Sequence, residues 1–83
     1  MIEERIDRLI KVYKGEIDRN NQIIENHRNT LIEFLNQGLY YHIRLKAERI
    51  EQKKLENELF ETFIALLEDV KTGERKVEGI KNA

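Results

Sequence analysis

From Ile2 onward the apolar side chains return every three or four residues: Ile2, Ile6, Leu9 with Ile10, Tyr13, Ile17, Ile24, Leu31, and Phe34 with Leu35. That spacing lays a single apolar stripe along a helix. The period stays close to 3.5 over about five heptads, which describes one coiled-coil-like rod and not a set of short helices. Gly15 falls on the polar side of the stripe, where it costs roughly 1 kcal/mol relative to alanine without breaking the phase.

Asn36, Gln37 and Gly38 follow the last residues of the stripe, and a glycine just past a helical pattern is the usual left-handed cap. The pattern therefore predicts a first helix over about 2–36, a turn at about 36–38 and a second helix over about 39–71, stopped by Thr72 and Gly73. Residues 74–83 carry no sustained period and are expected to be a flexible tail. A competing break lies at Asn29 and Thr30, where Thr30 and Glu33 have the spacing of a capping box, and Asn20 with Asn21 is a weaker one. The stripe crosses both sites in phase, so two helices are expected in preference to three.

The second helix carries two stripes. Leu39, Ile43, Ala47, Ile50, Phe60, Ile64 and Leu67 form one, and Tyr41, Leu45, Leu55, Leu59, Phe63, Leu66 and Val70 the other. The first helix can cover only one of them across a hairpin. Leaving the second in water would expose several large side chains at about 25 cal/mol per Å². The expected architecture is therefore all-α: a long antiparallel helical hairpin that dimerises into a four-helix bundle, with Leu45, Leu55, Leu59, Phe63, Leu66 and Val70 at the dimer interface. Charge order along the second helix suggests how. Arg44, Lys46, Arg49, Lys53 and Lys54 occupy its first half and Glu56, Glu58, Glu61, Glu68 and Asp69 its second, an order that opposes the helix dipole. Two copies running antiparallel about an axis near Leu55 to Leu59 would set basic halves against acidic ones.

Composition narrows the function classes. Lys plus Arg is 15 against 16 for Asp plus Glu, so no bulk charge points to a nucleic acid or a membrane. Cysteine and serine are absent, which removes disulfides, thiolate ligands and the commonest nucleophiles. Thr30, Thr62 and Thr72 have no flanking signature of activation, and Gly15, Gly38, Gly73 and Gly79 form no phosphate loop. Neither His27 nor His42 has a glutamate three residues before it, as a bundle di-iron centre requires, so no metal or other cofactor is expected. The longest apolar run, Phe63 to Leu67, is too short for a membrane span, and a cytoplasmic location is expected. Richness in Ile, Lys, Glu and Asn hints at an AT-rich genome and at an accessory protein of a virus or mobile element.

A few residues stand out within this frame. Asn20 and His27 interrupt the apolar stripe, and polar residues at such seam positions commonly set register and oligomeric state. His42, Lys46, Arg49 and Lys53, spaced by four, three and four, share one face of the second helix and could follow phosphates, although Glu48 and Glu51 dilute the field. Tyr40 and Tyr41 beside the turn are candidate anchors for a partner protein. Finally, Glu4, Ile6, Asp7, Leu9, Ile10 and Tyr13 resemble a Ser-Gln-x-Leu-Asp-x-Leu-Ile segment of the small helical-hairpin aspartyl-phosphate phosphatases of spore-forming bacteria. The resemblance implies a signalling phosphatase with Asp7 at its site, while Glu3 and Glu4 stand where that family has Ser-Gln. The leading expectation is a non-enzymatic protein-protein interaction module, a small homodimeric adaptor, regulator or assembly factor. A nucleic-acid-binding hairpin is the second reading and the phosphatase the third.

Overall fold

In the computed structural model, which describes the backbone of residues 2–81 and the side chains of residues 2–73, the chain forms two helices, α1 (Ile2–Gln37) and α2 (Tyr40–Lys81). They pack against each other as an antiparallel hairpin with extents of 68 × 16 × 12 Å. The long axis follows from helix geometry, since each residue adds about 1.5 Å. α1 runs without a break through Asn20 and Thr30. The Thr30 hydroxyl donates to the Asn26 carbonyl, a bond made inside a continuing helix and not at a cap.

The turn is made by Gly38. Its φ of 72° is the only positive value among the described residues, and in that conformation its N–H reaches the Leu35 carbonyl at 3.2 Å while Leu39 N–H reaches Phe34 at 3.0 Å. This paired arrangement satisfies carbonyls that the helix end would otherwise leave open. Leu39 then accepts from Ile43 N–H at 3.2 Å and starts α2. No comparable cap forms later among the described residues. Gly73 does not turn left-handed, and α2 continues through Thr72 and Gly73 to Lys81, beyond the Lys71 end that the apolar pattern suggests. Each of these residues weakens a helix by a fraction of a kcal/mol to about 1 kcal/mol, and neither forbids one. The expected flexibility of 74–83 lies outside the described side chains.

The helices meet along two strict series. In α1 it reads Ile6, Ile10, Tyr13, Ile17, Asn20, Ile24, His27, Leu31, Phe34, and in α2 Ile43, Lys46, Ile50, Lys53, Asn57, Phe60, Ile64, Leu67, Lys71; every member is buried or half-buried. Intervals of three and four alternate throughout, the repeat of a two-stranded coiled coil. Such a coil has little interior. The buried apolar residues are Ile6, Ile24 and Ile50, and no side chain falls below 2% exposure among those described. Near the open end Tyr13 thickens the core by lying over Phe60 and Phe63, both at 5.6 Å between ring centroids. Lys71 Nζ donates to Asp7 Oδ1 at 2.7 Å and ties α2 to the first turns of α1.

Candidate functional site

Three features of the rod bear on function: a polar layer inside the seam, a basic cluster nearer the turn, and apolar surface that the hairpin leaves uncovered.

The polar layer lies near the middle of α1. Asn20, 3% exposed, donates from Nδ2 to Asn57 Oδ1 at 3.0 Å and to Glu56 Oε2 at 3.1 Å. Asn57, 9% exposed, donates in turn to Asn21 Oδ1 at 3.0 Å, and Lys53 Nζ donates to the same Glu56 oxygen at 3.1 Å. Every member therefore has a partner, and no buried side-chain nitrogen or oxygen is unsatisfied among the described residues. A buried amide left unpaired costs about 1–3 kcal/mol. Sliding one helix past the other by a heptad would set Asn20 against Ile50 or Ile64 and incur that cost, so the layer selects one register. Asn20 is visible in the sequence as a seam interruption; its partner Asn57 is not, because Lys46 and Lys53 already break the apolar series of α2 before it.

His27, also at the seam, meets Lys46 from α2, with 3.3 Å between His27 Nδ1 and Lys46 Nζ. An ammonium can only donate, so Nδ1 accepts and the ring proton sits on Nε2. Burial, then the charges of Lys46, Arg49 and Lys53, hold the His27 pKa below the ordinary histidine value. The sign follows directly. Above about pH 6.5 the imidazole is neutral in both folded and unfolded chains; as pH falls through that value the unfolded chain takes up the proton first, and stability drops until the folded pKa is passed. The expected result is a Tm that falls between pH 7.5 and 5.5 more in the wild type than in His27→Gln, measured by circular dichroism at matched protein concentration. Parallel curves for the two proteins would remove His27 from the account.

The four-residue basic row is divided between two environments. Lys46 and Lys53 occupy seam positions, with aliphatic stems packed between the helices and ammonium groups at the edge, while His42 and Arg49 lie on the exposed flank. His42 packs its ring on Phe34 at 5.4 Å and on Tyr41 at 5.9 Å. Asp7, the residue that the phosphatase resemblance would make central, is bound to Lys71 as described. No group of three or more His, Cys, Asp or Glu side chains converges in metal-binding geometry among the described residues.

Apolar surface remains on two parts of the rod. At the turn, Tyr40 and Tyr41 are 77% and 72% exposed, beside Ile32, Leu35 and Leu39. Along α2, Leu45, Leu55, Leu59, Leu66 and Val70 are exposed and Phe63 is half-buried, after α1 has covered what it can reach. Leu9 and Tyr13 join Phe63, Leu66 and Leu67 around an apolar depression of about 220 Å³ on the same flank. The opposite flank carries a shallow groove of mixed character, where Asn21, Glu25, Arg28, Lys54, Asn57, Glu58 and Glu61 surround Ile24. The flank that bears Leu9, Phe63 and Leu66 is thus the more apolar of the two.

Among the described residues no helix is long and apolar enough to cross a membrane. No protein-family model, curated protein or solved structure matches the chain.

Proposed function

We propose that this protein is a non-enzymatic interaction module whose hairpins pair through the outer stripe of α2, forming a four-helix bundle that presents its surface to another protein. The observation that carries the reading is the exposure of Leu59, Leu66 and Val70 at 52%, 56% and 52% beside the half-buried Phe63 and the 43% exposed Leu9. Together with Ile2 they offer on the order of 500 Å² of apolar surface per copy, at the upper end for a patch on a monomer. Two such patches facing each other remove on the order of 1,000 Å² from water, enough for a specific interface. Apolar burial of this extent supplies the driving force, of which only the surplus over the cost of immobilising two molecules and ordering their side chains appears as affinity.

The remaining features fit a scaffold better than an enzyme. The polar groups of the seam bond to one another. Tyr40 and Tyr41 stand at the end of a stiff rod, where aromatic anchors lose little entropy on docking. The nucleic-acid reading is the weaker one, because Lys46 and Lys53 spend their charge at the seam and Lys53 is paired with Glu56. A cysteine-free chain suits the reducing cytoplasm, where we place the module.

Sedimentation equilibrium from micromolar to millimolar protein tests the reading. A dimer is expected; a monomer at the top of that range would falsify the pairing and the bundle built on it.

A further inference from the structure

Resting on the proposed pairing, we infer that the two-fold axis of the dimer passes between Ile64 and Ala65 of α2, at the open end of the hairpin, so that the two turns project from opposite ends of the assembly. The outer apolar residues here are Leu59, Phe63, Leu66 and Val70, separated by four, three and four. That series repeats the intervals of the inner seam and reads the same in both directions. A two-fold interface demands this property, because each residue must meet the patch it belongs to on the other copy.

With the axis at 64–65, Leu59 faces Val70 of the second copy and Phe63 faces its Leu66, and each pairing occurs twice. All four layers are apolar. The depression bounded by Leu9, Tyr13, Phe63, Leu66 and Leu67 adjoins the central layers and receives side chains of the second copy. Moving the axis to 57–58 keeps the same helical faces together and sets basic halves of α2 against acidic halves. It also sets Leu66 against Arg49, Phe63 against Gln52 and Leu59 against Glu56, so the apolar patch meets polar side chains in every one of those layers. Exposed charge pairs contribute little individually and are screened by salt. Apolar burial decides the position, and the charge order of α2 is left to act in solution and at the flanks.

The occupant of the patch is therefore a second copy of this chain. Leu45 lies two heptads before Leu59, about 21 Å along the helix, and stays outside the interface with Tyr40 and Tyr41. Each dimer presents two uncovered apolar tips at its far ends.

Distances between spin labels measure the axis position. The chain has no cysteine, so Glu48→Cys and Leu55→Cys each introduce a single label on the same outer face of α2, at exposed positions. With 1.5 Å of rise per residue and helices about 10 Å apart, an axis at 64–65 places the two Glu48→Cys labels about 50 Å apart and the two Leu55→Cys labels about 30 Å apart. An axis at 57–58 shortens these to about 30 Å and about 12 Å, and parallel pairing gives about 10–15 Å at both sites. Either of the shorter sets, in a protein that sediments as a dimer, overturns the axis and leaves the pairing standing. A monomer by sedimentation overturns both. Using two sites keeps the measurement decisive if one variant fails to fold.

Discussion

Asn57→Leu is expected to lower the unfolding free energy by about 1–3 kcal/mol, although it replaces a buried amide with a side chain that coiled-coil seams favour. The loss comes from what the leucine leaves behind. Asn20 Nδ2 loses its 3.0 Å acceptor, Asn21 Oδ1 loses its 3.0 Å donor, and Asn20 at 3% exposure has no room to turn toward water. The contact with Glu56 at 3.1 Å survives, which keeps the expected cost below that of a fully abandoned amide. Asn20→Leu leaves Asn57 still bonded to the exposed Asn21 and should cost less. The double variant, Asn20→Leu with Asn57→Leu, should recover the wild-type stability or exceed it, because two facing leucines need no hydrogen bonds. Non-additivity is thus the signature, with a coupling of about 0.5–3 kcal/mol from urea denaturation of the four proteins at one concentration. Additive losses would mean that the amides act separately and that the layer does not choose the register. The recovered stability should carry a loss of specificity, visible as higher oligomers or broadened amide resonances in the double variant.

That prediction depends on a residue that the apolar pattern passes over. The fold was legible in outline because α1 holds its stripe from Ile6 to Phe34 with only Asn20 and His27 out of character, and because Gly38 is the one glycine placed just beyond a helical stripe with a long second stripe following. Counting apolar residues alone failed in α2, where three members of the seam between Ile43 and Phe60 are polar. Lys46, Lys53 and Asn57 interrupt the series often enough that Leu39 and Ala47 look like better members, yet both are exposed. Extending the alternating three-four interval from Ile43 through Ile50 and Phe60 without regard to residue type lands on all three. The basic row is uniform in charge but not in position, since Lys46 and Lys53 belong to the seam and His42 and Arg49 to the flank. A lysine at a seam position buries its stem and reports nothing about phosphates, and no sequence rule based on charge spacing separates it from a lysine on the flank. The Gly73 stop fails for a different reason. A glycine ends a helix only when the chain gains by turning there, and past the described end of the seam nothing in the hairpin requires a turn.

Leu66→Asp is expected to weaken self-association at least about a hundredfold while leaving the hairpin folded. Both halves of that statement follow from position. Leu66 is 56% exposed in the single hairpin, so a carboxylate there can stay in water and the α1–α2 seam loses little. In the proposed dimer the same site would face Phe63 of the second copy near the axis, and symmetry would make each substitution count twice. Full burial of a leucine is worth about 1.5–3 kcal/mol and Leu66 has about half of its surface left to bury, so the two lost leucines supply part of the hundredfold change and the desolvation of two carboxylates the rest. Leu45→Asp supplies the comparison: Leu45 is 38% exposed on the same outer stripe, and with the axis at 64–65 it should leave the dimer intact. An axis at 57–58 would set Leu45 against Val70 of the second copy and Leu66 against Arg49, so Leu45→Asp would then be the more damaging of the two. Sedimentation velocity on both variants, with helicity followed by circular dichroism, separates these cases. If both variants remain dimeric, the interface lies on some other face of the rod, and the tyrosine-bearing turn would then be the first surface to consider.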